Sequence, residues 1–150
     1  MSLVTPELRA AIGRTGPAVT VEVTRREIRK YAVATRQRLK RYLDGDEAPP
    51  MFHYMLFREL EELDRLRSDG LSRDSLIPEL PLPRVMAGGS ETRYVRPIKP
   101  GDVLVGTPKI AEIFEKSGTQ GPLIFLVTEL RVETDQGELV LVERSTRIAR

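Results

Sequence analysis

The chain has 150 residues, a formal net charge of +2 at neutral pH, no cysteine and one histidine. Without cysteine it forms no disulfide and offers no thiolate for metal binding or nucleophilic catalysis, and a single histidine excludes a histidine-rich metal cluster within one chain. A chain of this length is expected to fold as one domain, residues 1–150. It lacks eighteen consecutive apolar residues and a charged leader followed by an apolar run, so we expect neither a membrane span nor secretion, and we expect a cytoplasmic location.

The first elements carry clear end signals. Pro6–Ile12 is predicted to be a short helix, with Thr5 as its N-cap and Gly13 as its end. The alternation of apolar and polar residues over Val19–Val23 predicts a half-buried strand.

A second helix is predicted to begin near Arg25. Thr24 is its N-cap, and Glu27 three residues later completes a capping box. Apolar residues continue with roughly helical spacing as far as Leu39, and Asp44–Asp46 ends the pattern. We therefore expect one helix across most of this segment.

Met51–Leu66 predicts a third helix, opened by Pro49-Pro50. Its first residues are apolar around almost the whole circumference, which is typical of a helix covered on nearly all sides. The following segment, Ser68–Pro83, contains three prolines and is a candidate lid or binding loop.

The rest of the chain predicts strands separated by turns. These strands are Ser90–Val95, Val103–Gly106, Lys109–Lys116, Leu123–Thr134 and Glu138–Ile148. The expected fold class is α+β: an antiparallel sheet of about five strands wrapped round a central helix, which is the hot-dog fold.

Four ordered segments resemble a known family: Val21–Ala34, Ala48–Phe52, Leu80–Asp102 and Gly118–Phe125. Together they resemble the MaoC-like acyl-thioester dehydratases, and more closely their N-terminal FAS1-like dehydratase domain. The branch they resemble contains mesaconyl-CoA hydratases and 3-hydroxyacyl-thioester dehydratases. The resemblance covers roughly residues 12–150 and implies hydration or dehydration of 2-enoyl or 3-hydroxyacyl thioesters carried on coenzyme A or acyl carrier protein.

The resemblance also implies which catalytic residues to look for. Family members use an Asp a few residues before an Asn-Pro-x-His segment that follows the first helix. Thr35–Asp44 occupies that place here, and it contains neither Asn-Pro nor His. In the family, one hot-dog unit of a pair often lacks this dyad while its partner carries it. The chain therefore resembles the substrate-shaping unit, acting as a homodimer or in a heteromer with a catalytic MaoC-like chain.

Two other functions are open: a self-sufficient hydratase with relocated catalytic groups, and an acyl-CoA-binding module that is not an enzyme. No cofactor is expected beyond the coenzyme A or carrier-protein thioester that serves as substrate carrier. No metal or membrane partner is expected. A nucleic-acid partner is not expected either, because the net charge is small and no aromatic residues alternate with the basic segment Arg25–Arg41.

His53 and Asp44 are the candidate catalytic residues. His53 is the one side chain with an unperturbed pKa near neutrality, although a packed helix histidine is the ordinary alternative. Asp44, Asp46 and Glu47 form a carboxylate cluster with it on one interpretation, and are solvated loop and capping residues on the other.

Basic residues are concentrated early: eight lie between Arg25 and Arg41, opposed only by Glu27. Among these, Arg36, Arg38 and Arg41, with Lys40, are candidates for binding coenzyme A phosphates or an acidic carrier protein, because guanidinium groups bind phosphate in bidentate fashion. The alternative is a solvated face balanced by acidic residues.

Three further residues are candidates for substrate binding. Tyr54, like Tyr31 and Tyr42, lines an acyl tunnel or simply packs. Gly88 and Gly89 allow close approach of a thioester, or relieve crowding at a strand start. Asp102 follows Pro-Gly and is expected to close a turn rather than act as an acid.

Overall fold

The computed structural model describes residues 2–58, 60–68, 70, 72 and 74–150. One antiparallel sheet of five strands in the order β1-β3-β4-β5-β2 dominates it. The elements in chain order are helix α1 (Pro6–Ala11), strand β1 (Val19–Glu22), helices α2 (Arg25–Ala34), α3 (Lys40–Leu43) and α4 (Phe52–Leu56), a 3-10 helix (Leu63–Arg65), and strands β2 (Val85–Tyr94), β3 (Val103–Gly118), β4 (Gly121–Thr134) and β5 (Leu139–Ala149). The predicted α+β class and five-stranded antiparallel sheet are confirmed.

The predicted helix starts are confirmed at the level of single hydrogen bonds. The Thr5 hydroxyl accepts from the Leu8 amide at the start of α1. At the start of α2, the Thr24 hydroxyl accepts from the Glu27 amide while the Glu27 carboxylate accepts from the Thr24 amide. These reciprocal bonds satisfy amides that the first helical turn leaves without partners.

The second predicted helix is wrong in its length. α2 ends at Ala34, because Arg36 adopts a positive φ of 55° and the Gln37 amide turns back to the Ala32 carbonyl. Helix α3 then begins separately at Lys40. A residue in the left-handed region cannot continue a right-handed helix, so the predicted element is divided in two.

The prediction of one long helix over Met51–Leu66 is also wrong. Among the described residues of this range, only α4 and the separate 3-10 helix form. Leu60 and Leu63 are almost fully exposed, so the apolar stripe that predicted the helix has nothing to pack against. Nor is α4 covered on all sides, since Tyr54 and Met55 are exposed.

Two strand boundaries differ from the prediction. β3 is one strand of sixteen residues rather than two, despite Pro108. The Pro108 carbonyl accepts from the Gly16 amide, on the side away from β4, so the missing proline N–H removes no bond to β4. β2 begins at Val85 instead of Ser90 and carries a bulge between Ala87 and Gly89.

The helices cover one face of the sheet, called the inner face below, and form two apolar clusters with it. α1 packs on the middle strands through Leu8 and Ala11. α2 and α4 pack on the other end through Ile28 and Phe52, with the Tyr31 ring edge-on to Phe52 at 5.5 Å between centroids. No described helix is long and apolar enough to cross a membrane.

Candidate functional site

A buried polar cluster lies where α4 meets β5 and β2. His53 is fully buried, and its Nε2 lies 2.5 Å from Oε2 of Glu143. Glu143 follows Leu141 by two residues on β5, so strand alternation directs it to the same inner face. A carboxylate thus stands among core residues, where a charge persists only when it is paired and hydrogen-bonded.

Glu143 has three side-chain partners. Besides His53, the Ser145 hydroxyl donates to its Oε1 at 2.9 Å and the Thr92 hydroxyl to its Oε2 at 3.4 Å. The hydrogen bond from His53 is the main reason that the pKa of Glu143 lies below its usual value, and burial acts in the opposite direction. Glu143 is therefore held as a carboxylate at neutral pH.

Tyr94 links this cluster to the surface. Its hydroxyl lies 3.3 Å from Nδ1 of His53 and accepts from the Met51 amide at 2.8 Å. If His53 donates through Nε2 to Glu143, its Nδ1 accepts from the Tyr94 hydroxyl, and all three groups are satisfied. The hydrogen-bonded series therefore runs from Glu143 through His53 to Tyr94. Glu143 and His53 are buried, whereas Tyr94 is 40% exposed.

This arrangement defines what each residue can do. His53 has no exposed surface, so it does not contact a substrate in this structure. Any effect of His53 on a substrate would have to pass through Tyr94, the member of the three with substantial exposed surface. Burial raises the pKa of Tyr94, so at neutral pH the phenol stays protonated and can donate a hydrogen bond. Catalysis by His53 stays a prediction.

Of the two interpretations of the acids near Asp44, the structure does not form the carboxylate cluster around His53. Asp44 pairs with Lys40, Asp46 with Arg25 at 2.5 Å, and Glu47 with Arg41 at 3.3 Å. Each acid instead neutralises a base of α2 or α3. Among the described residues, no group of three His, Cys, Asp or Glu side chains is placed to hold a metal ion.

The predicted phosphate-binding residues divide into two groups. Lys40 and Arg41 are engaged by acids, and the Arg41 guanidinium also lies 4.8 Å from the centre of the Tyr42 ring. Arg36 and Arg38 are exposed. The structure thus supports the balanced, solvated face for half of the set, and phosphate binding by Arg36, Arg38 and Arg41 stays a prediction.

Tyr54 lines a cavity of about 700 Å³ beside α4. Apolar and aromatic side chains form much of its wall, including Tyr31, Met51 and Met55, and Arg58 adds a charge. A smaller cavity of about 270 Å³ lies beyond Met51 and is lined by Tyr42 and Tyr94, among others. Tyr94 therefore lines the smaller cavity, and its hydroxyl accepts from the backbone amide of Met51, which lines the larger one.

The two glycines at the start of β2 serve the strand itself. A Cβ on Gly88 would lie 2.9 Å from side-chain carbons of Thr146 and Ile148. Gly89 has a φ of 113°, at the bulge. Relief of crowding is thus sufficient to explain Gly88, while close approach of a thioester to either glycine stays a prediction.

The turn after β2 behaves as predicted. Asp102 accepts from both terminal nitrogens of Arg96, at 2.9 and 3.2 Å, and from the Lys99 amide. The pairing with Asp102 raises the pKa of Arg96. Asp102 therefore closes a turn and is already fully engaged.

Glu143 was missed by the sequence analysis, and the role of Tyr94 went unrecognised. The signal for Glu143 was present: an acid occupies an inward position in the alternation Leu139, Leu141, Glu143, Ser145. What the sequence does not contain is the pairing of this position with His53, ninety residues earlier.

Comparisons with known proteins fit this architecture. A truncated HadBC (3R-hydroxyacyl-ACP dehydratase) complex from Mycobacterium tuberculosis superposes with a TM-score of 0.67 over 93% of this chain and 97% of that one, at 20% identity. Mesaconyl-C(4)-CoA hydratase from Chloroflexus aurantiacus is 32% identical over 101 residues, which are 67% of this chain but only 35% of that protein. A UPF0336 protein from Streptomyces griseus is 28% identical over 93% of this chain and 92% of its own length.

The five-stranded sheet, its covering helices and these structural matches define the hot-dog fold. The family model described as "FAS1-like, dehydratase domain region" matches residues 10–143. The chain therefore belongs to the FAS1-like dehydratase domain family.

Proposed function

We propose that the chain is the substrate-shaping unit of an acyl-thioester hydratase or dehydratase, and that a second hot-dog unit supplies the catalytic Asp and His. One observation carries the proposal. The segment that would hold the dyad, Thr35–Asp44, is largely exposed and contains no histidine, and the chain's only histidine is sealed in the core. The similarity to mesaconyl-C(4)-CoA hydratase and to the HadBC dehydratase complex supports an acyl-thioester context.

Addition of water to a 2-enoyl thioester needs a base for the water, a proton donor for the α-carbon and a hydrogen-bond donor for the thioester oxygen. We assign the first two to the partner unit. The contribution of this chain is the cavity beside α4, where Tyr31, Met51 and Tyr54 offer apolar and aromatic surface to an acyl group. Coenzyme A or acyl carrier protein is the proposed carrier, and no other cofactor is required.

Pairing of two units would use β2, the longer of the two edge strands of the sheet. It bonds to β5 on one side only. A second unit paired there would extend the sheet and cover an edge that otherwise exposes ten residues of backbone.

The test is turnover of a 2-enoyl-CoA by the purified chain, alone and mixed with a dyad-bearing hot-dog protein from the same cell. We expect negligible hydration alone and hydration with the partner that exceeds the partner's own rate. In the mixture, Tyr54→Ala should raise KM or shift the preferred acyl length, while Tyr54→Phe, which keeps the ring, should not. Robust turnover by the chain alone, abolished by His53→Ala, would overturn the proposal.

A second candidate function is a self-sufficient hydratase in which Tyr94 donates the proton. The hydrogen-bonded series from Glu143 through His53 to Tyr94 favours it. In that case the chain alone is active and Tyr94→Phe removes the activity. Tight binding of acyl-CoA without turnover in any mixture would support the third function, a non-enzymatic acyl-CoA-binding module.

A further inference from the structure

Met51 has an unusual backbone conformation for a residue that carries a side chain. Its φ is 68° and its ψ is 0°, in the left-handed region, which among the described non-glycine residues also holds Arg36. This region is unfavourable for such a residue because Cβ crowds the backbone. The conformation persists only where the surroundings hold it, and such residues cluster at ligand-binding and catalytic sites.

Hydrogen bonds hold the Met51 backbone on both sides. Its amide donates to the Tyr94 hydroxyl at 2.8 Å, and its carbonyl accepts from the Tyr54 amide at 3.0 Å. Tyr94 is itself positioned by His53, whose Nδ1 lies 3.3 Å from the same hydroxyl. The residue after Met51, Phe52, is fully buried. Met51 is therefore fixed through its backbone, although the residue remains 39% exposed.

Met51 lies at the boundary between the two cavities described above. It lines the cavity of about 700 Å³ beside α4, whereas Pro50, the residue before it, lines the cavity of about 270 Å³. Tyr31 lines the larger cavity and Tyr94 the smaller one. Burial is the main reason that the pKa of Tyr31 is raised, and the nearby Tyr94 adds to the shift. The cavities are therefore neighbours, with the Pro50–Met51 link and its bond to Tyr94 between them.

The smaller cavity can extend a ligand site but is small for a site of its own. Small-molecule sites usually have about 300–1,000 Å³, a range that includes the cavity beside α4. The smaller cavity lies just below this range. Much of its wall is apolar, through Ala48, Pro49, Pro50, Val95, Pro97 and Ile98. It therefore suits the end of an acyl group that has already filled the larger cavity.

We propose that Met51 sets the length of the acyl group that the protein accepts, and that Tyr94 is the residue that positions Met51. An acyl group bound beside α4 ends against the Met51 side chain. A longer one displaces that side chain, breaks the hydrogen bond to Tyr94 and continues into the smaller cavity. Methionine suits this position, because its flexible, unbranched side chain fills an irregular gap and can move aside. The inference rests on the part of the proposed function that assigns the acyl group to the cavity beside α4.

The test is calorimetric titration of the purified chain with a series of saturated acyl-CoAs, from butyryl-CoA to dodecanoyl-CoA in steps of two carbons. Saturated thioesters lack the double bond to which water adds, so binding is measured independently of catalysis. Each methylene that enters apolar surroundings should raise the affinity by up to about fourfold, until the cavity is filled. For the wild-type chain we expect this increase to stop within the series. The acyl length at which it stops, the limiting length, is compared between variants.

Met51→Gly tests the boundary directly. Glycine adopts a positive φ without steric cost, so the variant removes the side chain and keeps the backbone conformation. Short acyl groups should bind up to about fourfold more weakly because apolar contact is lost, whereas dodecanoyl-CoA should bind about tenfold more tightly because at least two further methylenes are buried. Met51→Asn is a second variant, since asparagine also tolerates the left-handed region and is shorter than methionine.

Met55→Ala is the matched control. It truncates another exposed methionine of the larger cavity, which lies on α4 and not at the Pro50–Met51 link. It should weaken the binding of all acyl lengths to a similar extent and leave the limiting length unchanged. Circular dichroism and the melting temperature of each variant show that it folds.

Tyr94→Phe tests the positioning role. It keeps the ring and removes the hydroxyl that accepts from the Met51 amide. The limiting length should increase, as in Met51→Gly. In the Met51→Gly background the same substitution should not increase it further, because Tyr94 acts through Met51. A purely structural role of Tyr94 would instead weaken all acyl lengths alike in both backgrounds.

Four results would overturn the inference: a wild-type chain that binds none of these acyl-CoAs, an affinity that rises without a limit through dodecanoyl-CoA, a Met51→Gly limiting length equal to that of wild type, or a Met55→Ala limiting length that increases as much. Each of them leaves the proposed function to be decided by hydration in the mixture with a dyad-bearing unit, which requires no length limit. Conversely, absence of hydration in that mixture leaves a limit that depends on Met51 intact.

Discussion

Replacement of His53 by leucine should destabilise the fold more than most single substitutions. It removes the closest partner of Glu143, whose side chain is 8% exposed, and leaves the carboxylate with only the hydroxyls of Ser145 and Thr92. Leaving a buried carboxylate without its main partner typically costs about 3–5 kcal/mol. For a chain of this size the melting temperature should fall by about 6–20 °C.

The pH dependence gives the sharper test. The pKa of Glu143 in the folded chain is below its ordinary value of 4.5, so the unfolded chain binds more protons as the pH falls. Wild-type stability from this group is therefore present at neutral pH and is lost below about pH 4.5, as the pH falls through the folded pKa. In His53→Leu the main cause of the lowered pKa is gone while burial remains, so the variant's deficit should shrink with acidity.

The assay is urea unfolding followed by circular dichroism at pH 7 and at pH steps down to 4. One protein concentration is used throughout, because the stability of any oligomer depends on concentration. The double variant His53→Leu/Glu143→Leu removes the buried charge and should recover most of the loss. Arg25→Ala, which breaks an exposed pair with Asp46, is the control and should change nothing measurable. A His53→Leu cost below about 1 kcal/mol, or a double variant no better than the single one, would refute the reasoning.

Three further outcomes follow from local geometry, each measured by the same unfolding assay. Gly106→Ala places a Cβ 2.5 Å from the Phe57 ring and should cost about 1–3 kcal/mol through displacement of that ring, so an unchanged midpoint would contradict the packing of α4 on β3. Thr24→Ala removes the hydroxyl half of the capping box and should cost about 1 kcal/mol, whereas Thr24→Ser should cost far less. Asp102→Ala leaves the partly buried Arg96 without its carboxylate and should cost about 1–3 kcal/mol; wild-type stability in that variant would show that the turn does not depend on the pair.

Features decided by neighbouring residues were predictable from the sequence. Thr24 and Glu27 are three residues apart, and both halves of the predicted capping box form. Strand β1 followed from the alternation of apolar and polar residues over Val19–Val23 in the same way. Prediction failed over Met51–Leu66, where an apolar stripe forms a helix only if another surface covers it. The exposure of Leu60 and Leu63 shows that no such surface exists among the described residues.

The site was predictable only in part. The absence of the family's dyad from Thr35–Asp44 was visible, because it concerns the residues of one segment. The fate of His53 was not, because it depends on Glu143, a residue that approaches only when β5 lies beneath α4. The partners of the acids near Asp44 could not be predicted for the same reason, because some of them, such as Arg25, lie on other elements.

Because His53 is the only histidine, its imidazole gives one set of ring resonances in a proton NMR spectrum of the whole chain. The His53 ring lies between Glu143, which is on β5, and Tyr94, which is on the edge strand β2. Any unit that docks along β2, or any acyl group that moves Met51 off the Tyr94 hydroxyl, alters that environment. The His53 resonances therefore report on docking along β2 and on displacement of Met51, and no added label is needed to observe them.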